Sequence, residues 1–315
     1  MAKRNGKPTK NENYQFQKLK MCKKCQRYSV LKDPICPVCG KYYKKFDQLV
    51  RKSVMKRFIL EAIWILTVAG LAVLFAPTSQ IMYYLAGGVM FCISYIIVTS
   101  IFLKSEYHYQ LKKRLRNDLR KIQAGIRFES NLAKEAESEG QLEAAYEKLC
   151  EIGDFVYSDE VKIRQVIVLN KLPLRSGVEP ELERLIPSSY DKNFVKYALK
   201  VLKKNRARFT KRCITYFIRN REKIMIDFGE DALIAIADTA LRMKLYILEF
   251  SSFIEEFLPD LPKERIQRLC SIILANPDLD WGSLKVRTIE LIGRKYRNDP
   301  DFKRFLVNER IISRA

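Results

Sequence analysis

"FILEAIWILTVAGLAVLFA", residues 58–76, and "IMYYLAGGVMFCISYIIVTSIFL", residues 81–103, are separated only by "PTSQ", and together they set the class of the chain. At 1.5 Å of rise per residue, each run is long enough to cross a hydrocarbon core of about 30 Å. The expectation is a transmembrane helical hairpin with a very short turn, spanning residues 58–103. A cleaved signal peptide does not fit, because a long polar and basic stretch precedes the first run. The competing reading is a buried helical hairpin of a soluble domain. No other part of the chain has an apolar run of comparable length.

The flanks of the runs are basic. "RKSVMKR" (51–57) precedes the first, supplying Arg51, Lys52, Lys56 and Arg57, and "KSEYHYQLKKRLR" (104–116) follows the second, supplying Lys104, Lys112, Lys113, Arg114 and Arg116. The turn between the runs carries no charge. By the positive-inside rule both termini face the cytosol, with these residues at the membrane interface. The formal net charge is +22, which by itself suggests nucleic acid. Its distribution points elsewhere: residues 1–57 hold seventeen Lys/Arg against three acids and residues 104–127 eight against two, which leaves only +3 in residues 128–315. Charge placed beside a bilayer reads first as an orientation signal and as attraction to anionic lipids of the cytosolic leaflet. Nucleic acid remains a second partner class, since the arm "MAKRNGKPTKNENYQFQKLK" (1–20) interleaves lysines with Tyr14 and Phe16. More simply, the arm is a basic disordered tail.

Within the runs, Glu61 is the one ionisable residue. An intramembrane carboxylate is by default a functional candidate. Lying one turn from Arg57 and Lys56, it also reads as a structural partner of those cations. Tyr83 and Tyr84 suit the outer interface, and Gly87 with Ser94 offers a small-residue stripe for the first helix.

Working outward toward the N-terminus, "MCKKCQRYSVLKDPICPVCG" (21–40) places Cys22 with Cys25 and Cys36 with Cys39 in two Cys-x-x-Cys pairs ten residues apart. Two short loops presenting two thiolates each suit one tetrahedral zinc ion, and a closed four-thiolate site is structural rather than catalytic. Disulfides and a redox dithiol are the alternatives, and a cytosolic position keeps thiols reduced and available to metal. "CPVCG" resembles the knuckle of the zinc-ribbon family, which implies two short β-hairpins clamping one structural Zn²⁺. The first pair, "CKKCQ", departs from that pattern by lacking the proline and the closing glycine. Cys92, Cys150, Cys213 and Cys270 are scattered in apolar contexts and read as small buried hydrophobes.

Residues 49–57 read as a basic linker and 104–135 as a basic juxtamembrane helix, in which Leu111, Leu115, Leu119 and Ile122 fall at helical spacing. This helix either continues the second membrane helix or bends along the surface. From residue 136 to 315 the pattern is helical throughout. "GQLEAAYEKLCEIG" (140–153) resembles the first helix of a tetratricopeptide unit. "SDEVKIRQVIVLNKL" (158–172) has Ser158 as N-cap and Pro173 as stop. "NFVKYALKVLKKNR", "RFTKRCITYFIRNREKIM", "EDALIAIADTALRMKLYILEFSSFIEEFL", "KERIQRLCSIILAN", "GSLKVRTIELIGRKY" and "PDFKRFLVNERII" follow as further helical segments, with breaks at "DFGED", "PDLPK", "NPDLDWG" and "RNDPD". Amphipathic helices with short polar breaks suggest an α-solenoid or an irregular bundle.

The fold class expected is therefore mainly α: a zinc ribbon over 21–48, a transmembrane hairpin, and a C-terminal helical repeat-like domain. The chain has a single histidine, His108, and no glycine-rich phosphate loop, nucleophile elbow or kinase-type motif set. Glu255–Glu256 and Asp299 with Asp301 read as solvated helix ends. The expected function is accordingly not enzymatic: a membrane-anchored cytosolic adaptor or scaffold that binds protein partners. A nucleic-acid or ribosome binder at the membrane, and an enzyme or transport accessory using Glu61, are the other classes. The layout resembles bacterial membrane proteins that begin with a zinc ribbon, which implies the bacterial plasma membrane, while the endoplasmic reticulum obeys the same orientation rules.

Overall fold

In a computed structural model of the protein, residues 18–75, 77, 80–173, 180–303 and 305 are described. The basic arm falls outside them up to residue 17. The chain divides into two units, Met1–Tyr157 and Ser158–Ala315.

In the first unit, β1 (Lys20–Met21) is the centre of a three-stranded antiparallel sheet, with β2 (Tyr28–Ser29) on one side and β3 (Lys44–Lys45) on the other. Leu19 and Phe46, immediately outside these strands, are fully buried and seal the sheet. Of residues 18–20, read as the end of a tail, Lys20 is thus a strand residue and Leu19 is buried. From Phe46 the chain enters α1 (Phe46–Leu74) with no intervening linker. The stretch 49–57 is helical because Leu49, Val50 and Val54 form a buried stripe beneath its cations. After the turn comes α2 (Ile81–Ser138), a single helix of 58 residues, about 87 Å long. The basic stretch after the apolar run therefore continues the same helix without a break. Its buried line is Leu111, Ile122, Gly125, Glu129, Ala133 and Ala136. Leu119, expected on that line, is 52% exposed.

Gly140, at φ 81°, closes α2 with a Schellman turn: the Gln141 amide donates to the Ala136 carbonyl and the Gly140 amide to that of Glu137. Helix α3 (Leu142–Phe155) then packs back on α2, where Ala133, Ala136 and Ala145 are buried with Leu149 and Ile152. The tetratricopeptide-like segment is thus the partner of α2 and belongs to the first unit. The division falls after Tyr157.

The second unit is helical throughout its described residues. Helix α4 (Asp159–Lys171) starts where the Ser158 hydroxyl accepts from the Val161 amide, and α5 (Lys192–Lys204) where Asp191 accepts from Phe194. The helical segment 208–225 holds two helices, α6 (Lys211–Arg219) and α7 (Arg221–Phe228). Asn220 breaks it, its side-chain amide donating to the Tyr216 carbonyl. The long segment after Gly229 is three: α8 (Glu230–Ala240), α9 (Lys244–Glu249) and α10 (Ser251–Phe257). Met243 is extended there, and the Arg242 guanidinium is held by the carbonyls of Arg206 and Phe209. Helices α11 (Lys263–Leu274) and α12 (Gly282–Lys295) follow. Of the last expected helix, Pro300–Phe302 forms a 3₁₀ turn and most of the rest lies outside the described residues. Lengths from six residues in α9 to fourteen in α12 set no common period.

Aromatic packing and one buried charge organise this unit. Phe194 meets Tyr216 edge-on at 4.9 Å, and Phe209 and Phe217 lie 5.8 Å apart. Asp238 on α8, 7% exposed, is clamped by Arg206 (2.5 Å) after α5 and Arg265 (2.7 Å) on α11. The acids read as solvated helix ends also have partners: Glu256 pairs with Arg221, and Asp299 and Asp301 share Lys263.

Candidate metal centre and the Glu61 network

The two cysteine pairs sit in loops of the same design. The Cys22 amide donates to the Arg27 carbonyl and the Cys36 amide to that of Lys41, each at 2.9 Å, so each loop closes five residues on. Gly40 turns the second loop at φ 67° and Gln26 the first at φ 53°. The missing glycine is therefore replaced by a glutamine in the left-handed region, whose side chain accepts from Lys121 on α2 at 3.0 Å. The loops bring the sulfurs of Cys22, Cys25, Cys36 and Cys39 within 4.8 Å of one another. Cys22 and Cys36 are buried, Cys25 and Cys39 half-buried, and all four are free thiols, with the Cys22 and Cys39 sulfurs 3.4 Å apart.

A tetrahedral ion with metal–sulfur bonds of about 2.3 Å sets its sulfurs roughly 3.8 Å apart, so the cluster can hold one metal ion. Without a cation the thiols ionise unequally. Burial pushes the Cys36 thiol up, but the amides of Val38 and Cys39 and the Tyr43 hydroxyl outweigh it and bring it to about 6. Cys25 moves the other way, up to about 12, through hydrogen bonding to the Cys39 sulfur and then burial. Four adjacent thiols ionise together only around a cation. A bound ion would have four protein ligands, leaving it a structural role.

The cluster is fixed to α2. A Cβ at Gly125 would stand 2.3 Å from the Tyr28 carbonyl oxygen, so only glycine lets the helix lie this close to β2. Beside it, the buried Glu129 accepts the Val30 amide with both oxygens at 3.2 Å, and burial raises its pKa above the ordinary carboxylate value. The Tyr28 hydroxyl donates to Asp118 at 2.6 Å, and burial followed by that carboxylate pushes the phenol up to about 12. The Lys32 amide donates to Glu151 on α3, and Lys18 pairs with Asp154. Gly125 and Glu129 are not among the residues expected to serve the site. The one signal for them in the sequence is the glycine itself, since a glycine inside an otherwise strong helical pattern marks close packing.

Farther along α1 the structure gathers a second group. Arg57 reaches Glu61 at 2.8 Å and Glu106 on α2 at 2.6 Å. Tyr95 donates to Glu61 at 3.1 Å, and Gln110 to Glu106 at 2.7 Å. Glu61 is thus one member of a polar tie between two apolar helices. Gly88, rather than Gly87, faces the first helix, with its Cβ direction 3.8 Å from Ala69. Of the flanking cations, Arg51 pairs with Asp47 at 2.8 Å. Arg114 donates to the Leu49 carbonyl and approaches Asp118. Lys52, Lys56, Lys104, Lys112, Lys113 and Arg116 are exposed or half-exposed. His108 stacks edge-on against Tyr107. Cys213 and Cys270 are buried, and burial pushes the Cys270 thiol up to about 12, where it is unreactive. Both α1 and α2 contain segments long and apolar enough to cross a membrane.

Comparison with protein families, curated proteins and solved structures gave no match.

Proposed function

We propose that the protein is a membrane-anchored cytosolic adaptor. In this reading α1 and α2 cross the bilayer as a hairpin with both chain ends in the cytosol. Cys22, Cys25, Cys36 and Cys39 hold one structural zinc ion, and the helical unit 158–315 binds a protein partner. The observation that carries the reading is the continuity of α2. One helix leaves the apolar run, passes under the cysteine cluster at Gly125 and Glu129, and ends at the α3 hairpin. A ribbon pinned to the shaft that leaves the bilayer is a fixed platform beside the membrane. The paired acids and the buried thiols of the helical unit fit roles in packing. The layout suits a bacterial plasma membrane.

A second reading rests on the outer face of the ribbon. Tyr42 is 73% exposed, Ile35 and Val38 are exposed, and Lys23, Lys24, Lys41, Lys44 and Lys45 of the same segment are exposed as well. Basic and aromatic side chains on one face fit nucleic acid as well as an acidic protein.

The test is a crosslinking pull-down from native membranes, comparing the full chain with a Cys22→Ser/Cys25→Ser variant whose zinc content is measured in parallel. A specific protein partner retained by the full chain supports the adaptor, and its loss together with zinc places the ribbon in the interface. Recovery of mainly ribosomes or nucleic acid, released by moderate salt, sinks the adaptor and favours the second reading.

A further inference from the structure

Between α1 and α2, where both helices leave the apolar runs, lies a crevice of about 900 Å³. Along α1 it extends from Phe46 to Ala62, about 24 Å. That span crosses the start of the apolar run at Phe58, and on α2 the crevice crosses its end at Leu103. With the hairpin in a membrane, one end therefore lies in the hydrocarbon and the other at headgroup level. We propose that this crevice binds a single anionic phospholipid of the cytosolic leaflet. The proposal rests on the hairpin reading given above.

Three features support that occupant. The hydrocarbon end is lined by Phe58, Ile59, Ala62 and Leu103, which match an acyl chain, and its two hydroxyls are already used, Tyr95 donating to Glu61 and Ser100 to the Ile96 carbonyl. The mouth carries two cations, Arg51 and Lys104, both exposed, Arg51 with 75% of its side chain accessible. The one acid on the lining, Asp47, is already bonded to Arg51 and to the Tyr107 hydroxyl, so the mouth keeps a net positive charge. The Arg51 contact to Asp47 uses Nε, leaving its terminal nitrogens to donate to a phosphate. The Asp47–Tyr107 and Arg57–Glu106 ties hold the two helices at a fixed separation, so the crevice is built without its ligand.

The experiment places the full chain in vesicles of phosphatidylcholine with a minority of phosphatidylglycerol, extracts it in detergent, and counts retained lipids by native mass spectrometry. The expected result is one phosphatidylglycerol kept per chain. Arg51→Gln with Lys104→Gln lowers that preference roughly thirtyfold, while Lys112→Gln with Lys113→Gln, outside the crevice, leaves it unchanged. Ala62→Phe, which fills the hydrocarbon end and keeps both cations, evicts the lipid. Retained lipid that matches the bulk composition, or a Lys112/Lys113 variant equal to the Arg51/Lys104 variant, overturns the proposal. A carbonate wash separates the two readings. A chain that stays in the membrane without lipid preference refutes the crevice alone, and a chain that washes off refutes the hairpin and the crevice with it.

Discussion

Gln26 and Gly40 close the two cysteine loops in the same left-handed conformation, at φ 53° and 67°, with different residues. A side chain there costs ~1 kcal/mol, and nothing lies within 4 Å of where a Cβ at Gly40 would stand. Gly40→Ala is therefore expected to weaken metal retention by that conformational cost alone. Gln26→Gly regains a similar amount, less the hydrogen bond from Lys121. Competition with a chelator reads both, and a Gly40→Ala protein that holds metal as tightly as the parent removes the argument. Glu129 permits a sharper test. Glu129→Gln keeps an acceptor for the Val30 amide, whereas Glu129→Ala strands that amide at a cost of about 2 kcal/mol. Because burial raises the folded-state pKa of this carboxyl, the folded protein binds more protons than the unfolded chain across the interval above the ordinary Glu value. Its contribution is favourable below that interval and declines as pH rises through it. Amide exchange over residues 28–31 should show that decline in the parent and lose it in Glu129→Gln. An identical pH dependence in the two proteins counts against a buried, titrating Glu129.

At the scale of elements, what the sequence shows depends on how far apart the cooperating residues stand. The four-cysteine cluster and the two apolar runs are patterns within short windows, and both are legible in the amino-acid order alone. The partners that hold the cysteine cluster are not, since Tyr28 and Asp118 are 90 residues apart and Val30 and Glu129 are 99. The breaks at Asn220 and Met243 are hidden because the apolar spacing continues across them, and the chain breaks there through side-chain and carbonyl bonds. Long-range contacts of this kind make strong predictions. Gly125→Ala brings a methyl into the Tyr28 carbonyl, so the cysteine cluster should lift from α2 and surrender its metal to chelator faster, with the helix itself intact by circular dichroism. Unchanged release kinetics would show that α2 does not support the cluster. In the Glu61 network the shared cation matters most. Glu61→Gln keeps an acceptor for Tyr95 and Arg57 and is expected to be silent, whereas Arg57→Ala leaves Glu61 and Glu106 without their common partner. Distances between spin labels on α1 and α2 should broaden in Arg57→Ala and stay narrow in Glu61→Gln. A functional loss in Glu61→Gln without broadening would instead make Glu61 a chemical participant.

The whole molecule joins two units that keep their shape by different means. The first has a small sheet with few apolar residues, so an ion held by the four sulfurs would carry much of what a core supplies elsewhere. The second has a packed aromatic core and a buried charge clamp, Asp238 between Arg206 and Arg265, and among the described residues no cluster of metal-ligating side chains lies beyond Cys39. Stripping the metal should therefore abolish protection of residues 18–45 in hydrogen exchange while leaving the unfolding transition of 158–315 in place. Asp238→Ala should do the reverse, destabilising the helical unit by about 1–2 kcal/mol, because both guanidinium groups lose a buried carboxylate but are themselves partly exposed and can turn to water. Chelator resistance of the cysteine cluster would be unaffected. The pair of experiments separates two sources of order on one chain. If metal loss melted both units together, or if Asp238→Ala released the metal, the units would form one cooperative body, and a ribbon that senses metal would then control the helical unit directly.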